Sequence, residues 1–572
     1  MAVEKSREEI AERAAVTQEE ARRERRGEAP IKAEYLVRRN EQAESGSEPK
    51  PETKPEEAKP ETSSEAKPEP GKKQKKQKRN RRPVERDNLC RKIALGEECP
   101  FGDTCKSSHD IQAFIASKPK DLEGTCVLFD KFGKCSFGVR CRFSSSHTTA
   151  DHKQIVKEQA QPAEELNRMD RDVQIRLRKR LEQFPRTKEY EQLWNQADGP
   201  PAQETDDSMK TACKRARTRK HIEFAGKTYL APLTTVGNLP FRRICKGFGV
   251  DITCSEMALA SNIVQGQGTE LALLRRHASE DLFGVQLAGS RADVMGKAAE
   301  FVSNNCQVDF IDVNVGCPID MAFNSGGGSA LLAHPRKLER IVRTVVAAAD
   351  CDVTVKLRTG VTKDALVAHK LVPKLREWGA RLGTLHGRTR QQRYTKLADW
   401  DYISQCHEVA PVPLFGDGDV MSWEEYWEHL EARKQSDGVM IGRGALIKPW
   451  VFREISERKV WDISAGERLD MLKQFARFGM EHWGTDAQGI ETTRRYMLEW
   501  QSFLHRYIPP GLLEVLPQRM NERPPPFVGR SDLETLLASP SASDWIKISE
   551  MLLGPAHPDF TFVPKHKSNS YS

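Results

Sequence analysis

Two clusters of cysteine and histidine have spacings that suit a metal ion. Eight, five and three residues separate the members of the first cluster, and the second repeats the eight and the five before a last gap of five. Three thiolates and one imidazole suit tetrahedral zinc. We therefore predict two structural zinc sites, and the repeated spacing argues against two sets of unpaired structural cysteines. The candidate ligands are Cys90, Cys99, Cys105 and His109 in the first site, and Cys126, Cys135, Cys141 and His147 in the second.

A second set of polar residues lies in the central region, at the ends of predicted strands. The last two strands end in the glycine-rich segments 416–419 and 442–444, which allow close backbone approach to a phosphate beside one cation. No GxGxxG motif follows a strand, so a resident dinucleotide-binding domain is not indicated. The pattern favours FMN, because three further residues could bind a polar heterocycle with a negative N1–C2 edge: Gln286, Lys356 and His386.

Cys317 stands apart from both metal clusters, at the end of the fourth predicted strand. The residues alone leave two interpretations open: a reactive thiol, or a buried structural cysteine such as we expect at 245, 254, 306, 351 and 406. A proline and the glycine-rich run 324–328 follow it, and we interpret that run as a flexible active-site loop. This position at a strand end favours chemistry.

Eight short apolar runs between residues 227 and 446 would position these side chains, with amphipathic stretches between them. Alternating strands and helices in this number predict an α/β protein with a (β/α)₈ TIM barrel. A doubly wound sheet is the alternative, but polar and glycine-rich residues recur at the ends of nearly all the runs. The runs are KTYLAPL, DITCSEM, FGVQLAG, FIDVNVGCP, DVTVKLRTG, LGTLHGRT, VPLFGDGD and DGVMIGRGAL.

Composition and periodicity divide the 572 residues into six parts. The N-terminal part is too charged to bury a core, so we expect it to be disordered. We predict a disordered charged tail with a basic run at 1–85, two zinc fingers at 86–150, a charged helical linker at 151–221, the barrel at 222–460, a helical RNA-binding domain at 461–555 and a flexible tail at 556–572.

Charge and hydropathy exclude several classes of protein. The net charge is +8, no apolar stretch approaches the ~18 residues of a membrane span, and the charged N-terminus predicts no secretory signal. We expect neither a membrane nor an obligate protein partner. The basic run 71–82 suits a phosphate-bearing partner, a nuclear import receptor or merely a solubilising tail. We expect the protein in the cytoplasm and the nucleus.

Several long motifs resemble those of the FMN-dependent tRNA-dihydrouridine synthases. They include DFIDVNVGCPIDMAFNSGGGSALL, LHGRTRQQRYTKLADW and GVMIGRGALIKPWVF, and the resemblance covers about residues 86–460. The two cysteine clusters resemble tandem CCCH zinc fingers, which typically bind RNA. The resemblance implies a (β/α)₈ barrel with bound FMN, NADPH or NADH as reductant, structural Zn²⁺, and tRNA as partner. It leaves mRNA open as a further substrate.

The resemblance also implies a reaction and the residues that perform it. Reduced FMN passes hydride from N5 to C6 of a uridine, and Cys317 donates a proton to C5. The residues implied for the substrate are Asn314, Arg358 and Arg388. Those implied for FMN are Pro232, Leu233, Thr234, Gln286, Lys356, His386, Asp417, Gly418, Asp419, Gly442 and Arg443.

One residue departs from the family pattern, which usually has asparagine where this chain has Asp417. A carboxylate there would repel a phosphate if it faced inward, and would be harmless if only the backbone bound the phosphate.

Basic and aromatic residues outside the barrel could hold RNA through phosphate contacts and base stacking. We expect these contacts from Phe101, Phe132, Phe137 and Phe143, from Lys106, Lys131, Lys134, Arg140 and Arg142, from the linker patch 214–220, and from Arg494, Arg495 and Arg506.

Two other functions remain as alternatives to a tRNA-modifying enzyme. An FMN-dependent reductase of a small molecule would leave the zinc fingers without a role. A non-catalytic RNA-binding protein with an inactive barrel would purify without flavin.

Overall fold

A closed barrel of parallel strands forms the centre of the computed structural model, which describes residues 27–37, 89–158, 162, 164–200 and 221–565. The strands are β1 Glu165–Leu166, β2 Thr228–Leu230, β3 Ile252–Cys254, β4 Ala258–Leu259, β5 Arg276–His277, β6 Leu282–Ala288, β7 Phe310–Val315, β8 Asp352–Arg358, β9 Leu382–His386, β10 Leu414–Asp417 and β11 Gly438–Ile441. The barrel order is β2, β3, β6, β7, β8, β9, β10 and β11, and β11 pairs back with β2. The predicted TIM barrel is confirmed, and each of the eight predicted runs supplies one strand.

The segment before the barrel consists of short helices and one strand. The helices of the finger region are α1 Arg91–Ala94, α2 Ile111–Ser117 and α3 Val127–Phe132, and those of the linker are α4 Arg171–Arg178 and α5 Pro185–Ala197. The linker also contributes β1, which pairs antiparallel with β5. The basic run 71–82 and the linker patch 214–220 lie outside the described residues.

Amphipathic helices cover the outside of the barrel. In the helix 335–348, Leu338, Ile341, Val342 and Val345 recur at helical spacing and are fully buried, which fixes the face that meets the strands. The helices are α6 Leu239–Gly247, α7 Ala260–Val264, α8 Gly268–Leu271, α9 Ala292–Asn305, α10 Asp320–Asn324, α11 Pro335–Ala348, α12 Ala368–Leu371, α13 Trp400–Glu408, α14 Trp423–Trp427, α15 Arg443–Ile447 and α16 Val451–Glu457.

Aromatic side chains fill the interior of the barrel. The ring of Tyr229 lies edge-on to Phe310 and to Phe415, at centroid distances of 6.0 Å and 6.4 Å. Gly284 makes room for one of them, because a Cβ there would lie 2.1 Å from the Phe310 ring. The interior is therefore a packed core, and the catalytic residues can reach a ligand only at the strand ends.

Helices after the barrel form a unit that packs on its side. Trp500 joins the two parts, since its indole N–H donates to the Leu446 carbonyl at 2.9 Å and its ring lies 5.3 Å from that of Phe241. Within the described ranges, no helix has both the length and the apolar character to cross a bilayer. The helices are α17 Ala465–Trp483, α18 Ala487–Leu504, α19 Asp532–Ala538 and α20 Ala542–Leu553.

Parts of both predicted tails pack onto this helical unit, which corrects the sequence-based expectation. Within 27–37, Ala29 and Ile31 are buried against Leu512 and Phe527. At the other end, the residues 556–565 are described, and the backbone N–H of Lys565 donates to Glu499 at 3.1 Å. The segment 27–37 contains apolar residues, but the sequence around it is highly charged. That charged composition predicts disorder for the whole tail, which the packing of 27–37 corrects.

Candidate active site and zinc centres

The loop that carries Cys317 is fixed by hydrogen bonds on both sides. Asn314, near the end of β7, accepts from the backbone N–H of Cys317 at 2.9 Å and from that of Gly316 at 3.2 Å. Ser329 donates through its hydroxyl to the Cys317 carbonyl at 2.8 Å. Gly328 makes this approach possible, because it has a φ of 55° and a Cβ there would lie 3.0 Å from that carbonyl. The thiol is thus held at the rim of the barrel.

Burial keeps the Cys317 thiol protonated. The residue is buried, and burial raises the pKa of its thiol above the ordinary value, against a backbone hydrogen bond and the charge of Arg358. A protonated thiol is a proton donor, whereas a nucleophile would need the thiolate. The environment therefore suits an acid.

A chain of hydrogen bonds orients Asn314 from inside the barrel. Gln286 donates to Asp312 at 2.7 Å and accepts from the Asn314 amide at 2.8 Å. Thr354 donates its hydroxyl to the other oxygen of Asp312 at 2.6 Å. Sequence analysis selected Gln286 and Asn314 but missed Asp312 and Thr354. The alternation of Asp312 and Asn314 along one buried strand is the signal that could have found the carboxylate.

Lys356, His386 and Asp417 form a second group at the rim, on three neighbouring strands. Asp417 faces inward: its carboxylate contacts the Lys356 ammonium and lies 3.1 Å from His386 Nδ1. Burial alone would raise the pKa of Asp417, but the charge of Lys356 and the contact with His386 outweigh it and hold this pKa well below its usual range. Burial lowers the pKa of His386 to about 4 despite the facing carboxylate. The inward carboxylate is thus paired with a cation, an outcome that neither alternative in the sequence analysis included.

The glycine-rich ends of β10 and β11 are held together by Asp419. This residue adopts a φ of 56°, a left-handed conformation that non-glycine residues rarely take. Its carboxylate accepts from Arg388 at 2.5 Å, from Arg443 at 2.8 Å and from the backbone N–H of Ala398 at 2.8 Å. These bonds stabilise the unusual backbone next to Gly418, at the place predicted for a phosphate.

The structure buries Arg388, which the resemblance assigns to the substrate, within the rim. Its side chain is 0% exposed and donates to Asp419 and to the Lys396 carbonyl, so it braces the rim. Arg358 is also buried, and it donates to the carbonyls of Gly316 and Thr389 at 2.8 and 2.9 Å. It therefore supports the backbone directly before Cys317.

The remaining residues suit the phosphate and ring of a flavin. Lys356 and Arg443 keep 14% and 18% of their side chains exposed, so both can meet an anionic ligand. The predicted segment 232–234 directly follows β2, and its Leu233 lies 3.7 Å from where a Cβ of Gly442 would be. Glycine at 442 leaves this wall of the rim open. Two partly exposed cations beside glycine-rich backbone fit the donor set that FMN needs.

Both predicted zinc sites are assembled in the structure. In each cluster the four ligand atoms lie within 4.8 Å of one another, and the second cluster includes His147. The sulfurs of Cys126 and Cys141 are 3.7 Å apart. Bonds of ~2.3 Å to a tetrahedral zinc would place two sulfurs about 3.8 Å apart, so the geometry fits the ion.

The second finger docks onto the turn between α17 and α18. The hydroxyl oxygen of Thr485 lies 3.2 Å from Cys141 Sγ, and its carbonyl accepts from the Arg142 backbone at 2.8 Å. Arg140 pairs with Asp486 at 3.3 Å. A Cβ on Gly484 would lie 2.3 Å from the Phe137 ring. This finger therefore connects the zinc site to the helical unit.

The docking corrects several predicted RNA contacts. Phe143 is buried, Phe137 packs on Gly484, and Lys131 pairs with Glu164 at 2.5 Å. Arg494 is buried as well and donates to Ser549 at 2.7 Å. These side chains make contacts within the protein, and they looked like RNA contacts because composition alone does not show what a charged or aromatic side chain faces.

The first finger presents its aromatic side chain to solvent. Phe101 follows its cysteine by two residues, as Phe137 does in the second finger, but it is 67% exposed. Lys106 is exposed nearby.

Family models and named relatives match most of this chain. The family model described as Dihydrouridine synthase (Dus) matches residues 229–492, and the one described as DUS3L CCCH zinc finger domain matches residues 85–117. Proteins named "tRNA-dihydrouridine(47) synthase [NAD(P)(+)]-like" are 48% identical in Xenopus tropicalis (85% of this chain, 81% of the relative), 48% identical in Homo sapiens (83% and 79%) and 40% identical in Arabidopsis thaliana (87% and 88%). Among solved structures, a morphinone reductase aligns over 41% of this chain and 87% of its own at 13% identity, with a TM-score of 0.30.

Proposed function

The chain belongs to the dihydrouridine synthase family, and from this premise we propose that it reduces the C5–C6 double bond of a tRNA uridine, at position 47, with Cys317 as the proton donor. The relatives at 48% identity carry that position and NAD(P)(+) in their names. FMN would mediate the reduction, with NADPH or NADH as the reductant.

One observation carries the proposal: a buried, protonated thiol at the rim lies in the same barrel mouth as a paired lysine and a glycine-rich anion site. Cys317 is fixed by Asn314, and Lys356 stands on the strand next to β7. Reduction of an enone-like ring needs hydride on one carbon and a proton on the other. Cys317 would supply the proton, and Lys356 and the glycine-rich segments would hold the FMN that supplies the hydride.

The residues of this chain would bind and orient the reactants and move one proton. When bound, FMN supplies the hydride that reaches C6 of the uracil. Cys317 Sγ–H gives its proton to C5, which leaves a thiolate that regains a proton from solvent. Arg358 holds the Gly316 carbonyl at 2.8 Å, so the thiol stays in position. The Lys356 ammonium would stabilise the negative charge that develops on the uracil ring as the hydride arrives.

The decisive experiment is nucleoside mass spectrometry of unmodified tRNA incubated with the FMN-loaded protein and NADPH. We expect dihydrouridine, and we expect none when uridine 47 of the transcript is replaced by cytidine. Dihydrouridine that persists in the cytidine-47 tRNA would contradict the position. A flavin-loaded protein that reduces a soluble enone and leaves every tRNA unchanged would contradict the proposal in favour of the small-molecule reductase.

The first finger is the zinc module that we assign to the RNA. Its Phe101 is 67% exposed, whereas the equivalent Phe137 packs against the helical unit. A uridine in folded tRNA must leave its stack to reach the barrel mouth, which costs a few kcal/mol. An exposed aromatic ring with a neighbouring lysine suits stacking on an unpaired base and contact with its phosphate.

Phe101→Ala is expected to weaken tRNA binding about tenfold. Stacking of one base on an aromatic ring contributes about 1–3 kcal/mol, and ~1.4 kcal/mol corresponds to tenfold. The measurement is the dissociation constant for unmodified tRNA by fluorescence anisotropy at fixed salt.

Phe137→Ala is the matched control, at the same position of the other finger. We expect it to lower the melting temperature while the folded protein keeps its tRNA affinity. Equal affinity in wild type and Phe101→Ala would remove the first finger from the RNA interface.

We propose two extensions of this function. Unpaired mRNA uridines are further substrates, because stacking and phosphate contacts do not require a tRNA body. The protein acts in both the nucleus and the cytoplasm, which the basic run 71–82 supports. Dihydrouridine mapping of mRNA in cells with and without the protein tests the first. Imaging of a variant whose basic run is neutralised tests the second.

A further inference from the structure

Asp417 is an ionised carboxylate inside the barrel mouth, where the proposed function places an electron-carrying ring. It is the last residue of β10, and its register partner on β9 is His386. Its Oδ2 contacts Lys356 Nζ and lies 3.1 Å from His386 Nδ1. The side chains of Asp417 and Lys356 are only 11% and 14% exposed, so solvent screens this pair weakly.

The group carries almost no net charge at neutral pH. His386 is neutral, because burial lowers its pKa to about 4. The carboxylate of Asp417 and the ammonium of Lys356 cancel each other. Lys356 is then a hydrogen-bond donor to a ring, with one of its N–H groups directed to Asp417 and two remaining. It is no longer an uncompensated cation.

We propose that Asp417 lowers the reduction potential of the bound flavin by cancelling the charge of Lys356 at the edge of the ring. The inference rests on the proposed function and on the assignment of Lys356 and His386 to FMN, which the family resemblance implies. Two-electron reduction places additional negative charge on the N1–C2 edge, and a lone buried cation there would stabilise the reduced ring. Pairing that cation with a carboxylate removes part of this stabilisation.

A lower flavin potential suits the reduction of uracil. The C5–C6 double bond of uracil is a poor electron acceptor, so a flavin of lower potential gives up hydride to it more readily. Asp417 is therefore a positioning and charge-setting residue: it acts through Lys356 and does not itself exchange protons with the substrate.

The test is an anaerobic spectroelectrochemical titration of the FMN-loaded full-length protein. Asp417→Asn keeps the size of the side chain and removes its charge, and we expect its midpoint potential to be more positive than that of the wild type. Asp352→Asn is the matched control, because Asp352 is a buried carboxylate at the opposite end of β8. We expect its potential to equal that of the wild type. The Kd for oxidised FMN, measured by fluorescence, is the second readout.

Two further variants, which neutralise Lys356 alone or together with Asp417, keep the inference testable if Asp417→Asn loses its flavin. Lys356→Gln leaves the carboxylate uncompensated and is expected to move the potential in the negative direction, and the double variant is expected to return close to the wild type. Equal potentials in the wild type, Lys356→Gln and any flavin-loaded Asp417→Asn would overturn the inference. If the wild type forms dihydrouridine, such a result leaves the proposed function intact. A wild type that binds no FMN would instead contradict the proposed function.

Discussion

Cys317→Ala is expected to lose dihydrouridine formation by a factor of about 10²–10⁴, the usual contribution of a positioned general acid. The variant removes the proton donor that the structure fixes at the exit of β7, and it leaves Lys356, Arg443 and the glycine-rich segments in place. FMN content and the rate of flavin reduction by NADPH should therefore stay at wild-type values. Single-turnover mass spectrometry of tRNA nucleosides measures the loss, and anaerobic stopped-flow absorbance measures the flavin step.

Cys306→Ala is the matched control for this prediction. Cys306 is half-buried and precedes β7, at the opposite end of the strand that Cys317 follows. We expect it to retain full activity. Wild-type dihydrouridine yield from Cys317→Ala would assign the proton to another donor, and loss of FMN from that variant would show a structural role.

The pH dependence of the same reaction follows from the raised pKa of the thiol. Burial raises the pKa of Cys317 above its ordinary value, so the acid form is fully present at neutral pH and is lost only as the pH rises through the raised pKa. We expect the single-turnover rate to be flat around pH 7 and to fall at a pH above the ~8.5 of an ordinary thiol. A fall that begins below pH 7 would be inconsistent with a thiol acid.

Cys135→Ser is expected to lower the melting temperature of the whole protein by on the order of 10 °C. The second finger is a structural zinc site whose cysteines lie against Thr485, so its collapse also removes the support of the α17–α18 turn. Structural zinc contributes roughly 10–16 kcal/mol to folding in isolated finger peptides, and the loss of about a quarter of that corresponds to a shift of this size. Differential scanning fluorimetry and zinc analysis by mass spectrometry provide the readouts.

Cys99→Ser makes the same change in the first finger and serves as the control. Its ligands are more exposed, and its core is small: Leu89 and Ala94, which pack against Val139 of the second finger. We expect this variant to lose one zinc ion and most of the tRNA affinity that the first finger contributes. Its melting temperature should shift by only a few degrees. Equal destabilisation by the two variants would show that both fingers are structural. Removing residues 1–150 as a block would not separate the two roles, because it deletes the docked finger and the packed segment 27–37 together.

The barrel and its rim could be predicted from the sequence because their signals are local. Each strand is a short apolar run with polar residues at its end, as Asn314 and Cys317 show for β7. The zinc ligands were predictable for the same reason, since spacing along the chain decides which side chains can share one ion. His147 lies with its three cysteines despite the longer last gap.

The contacts that could not be predicted join residues far apart in the chain. The residues near Phe137 in the sequence do not indicate that Gly484 packs on it. Those near Arg388 do not indicate that its guanidinium pairs with Asp419. The partner of Asp417 was equally hidden, because Lys356 approaches it only after three strands of the barrel have paired. Whether a charged or aromatic side chain faces a ligand or the protein core is decided by tertiary packing.

The packed segment 27–37 has a consequence for how the chain is assembled during synthesis. Lys32 donates to the carbonyl of Gly511, which is 479 residues further along the chain. A ribosome adds roughly 5–20 residues per second, so about half a minute to a minute and a half passes before that partner has been made. The contact between Cys141 of the second finger and Thr485 also forms late, because Thr485 lies 344 residues after Cys141. Closure of the helical unit is therefore a late event in synthesis, and a truncation that removes residues 511–527 would leave the segment 27–37 without its partners.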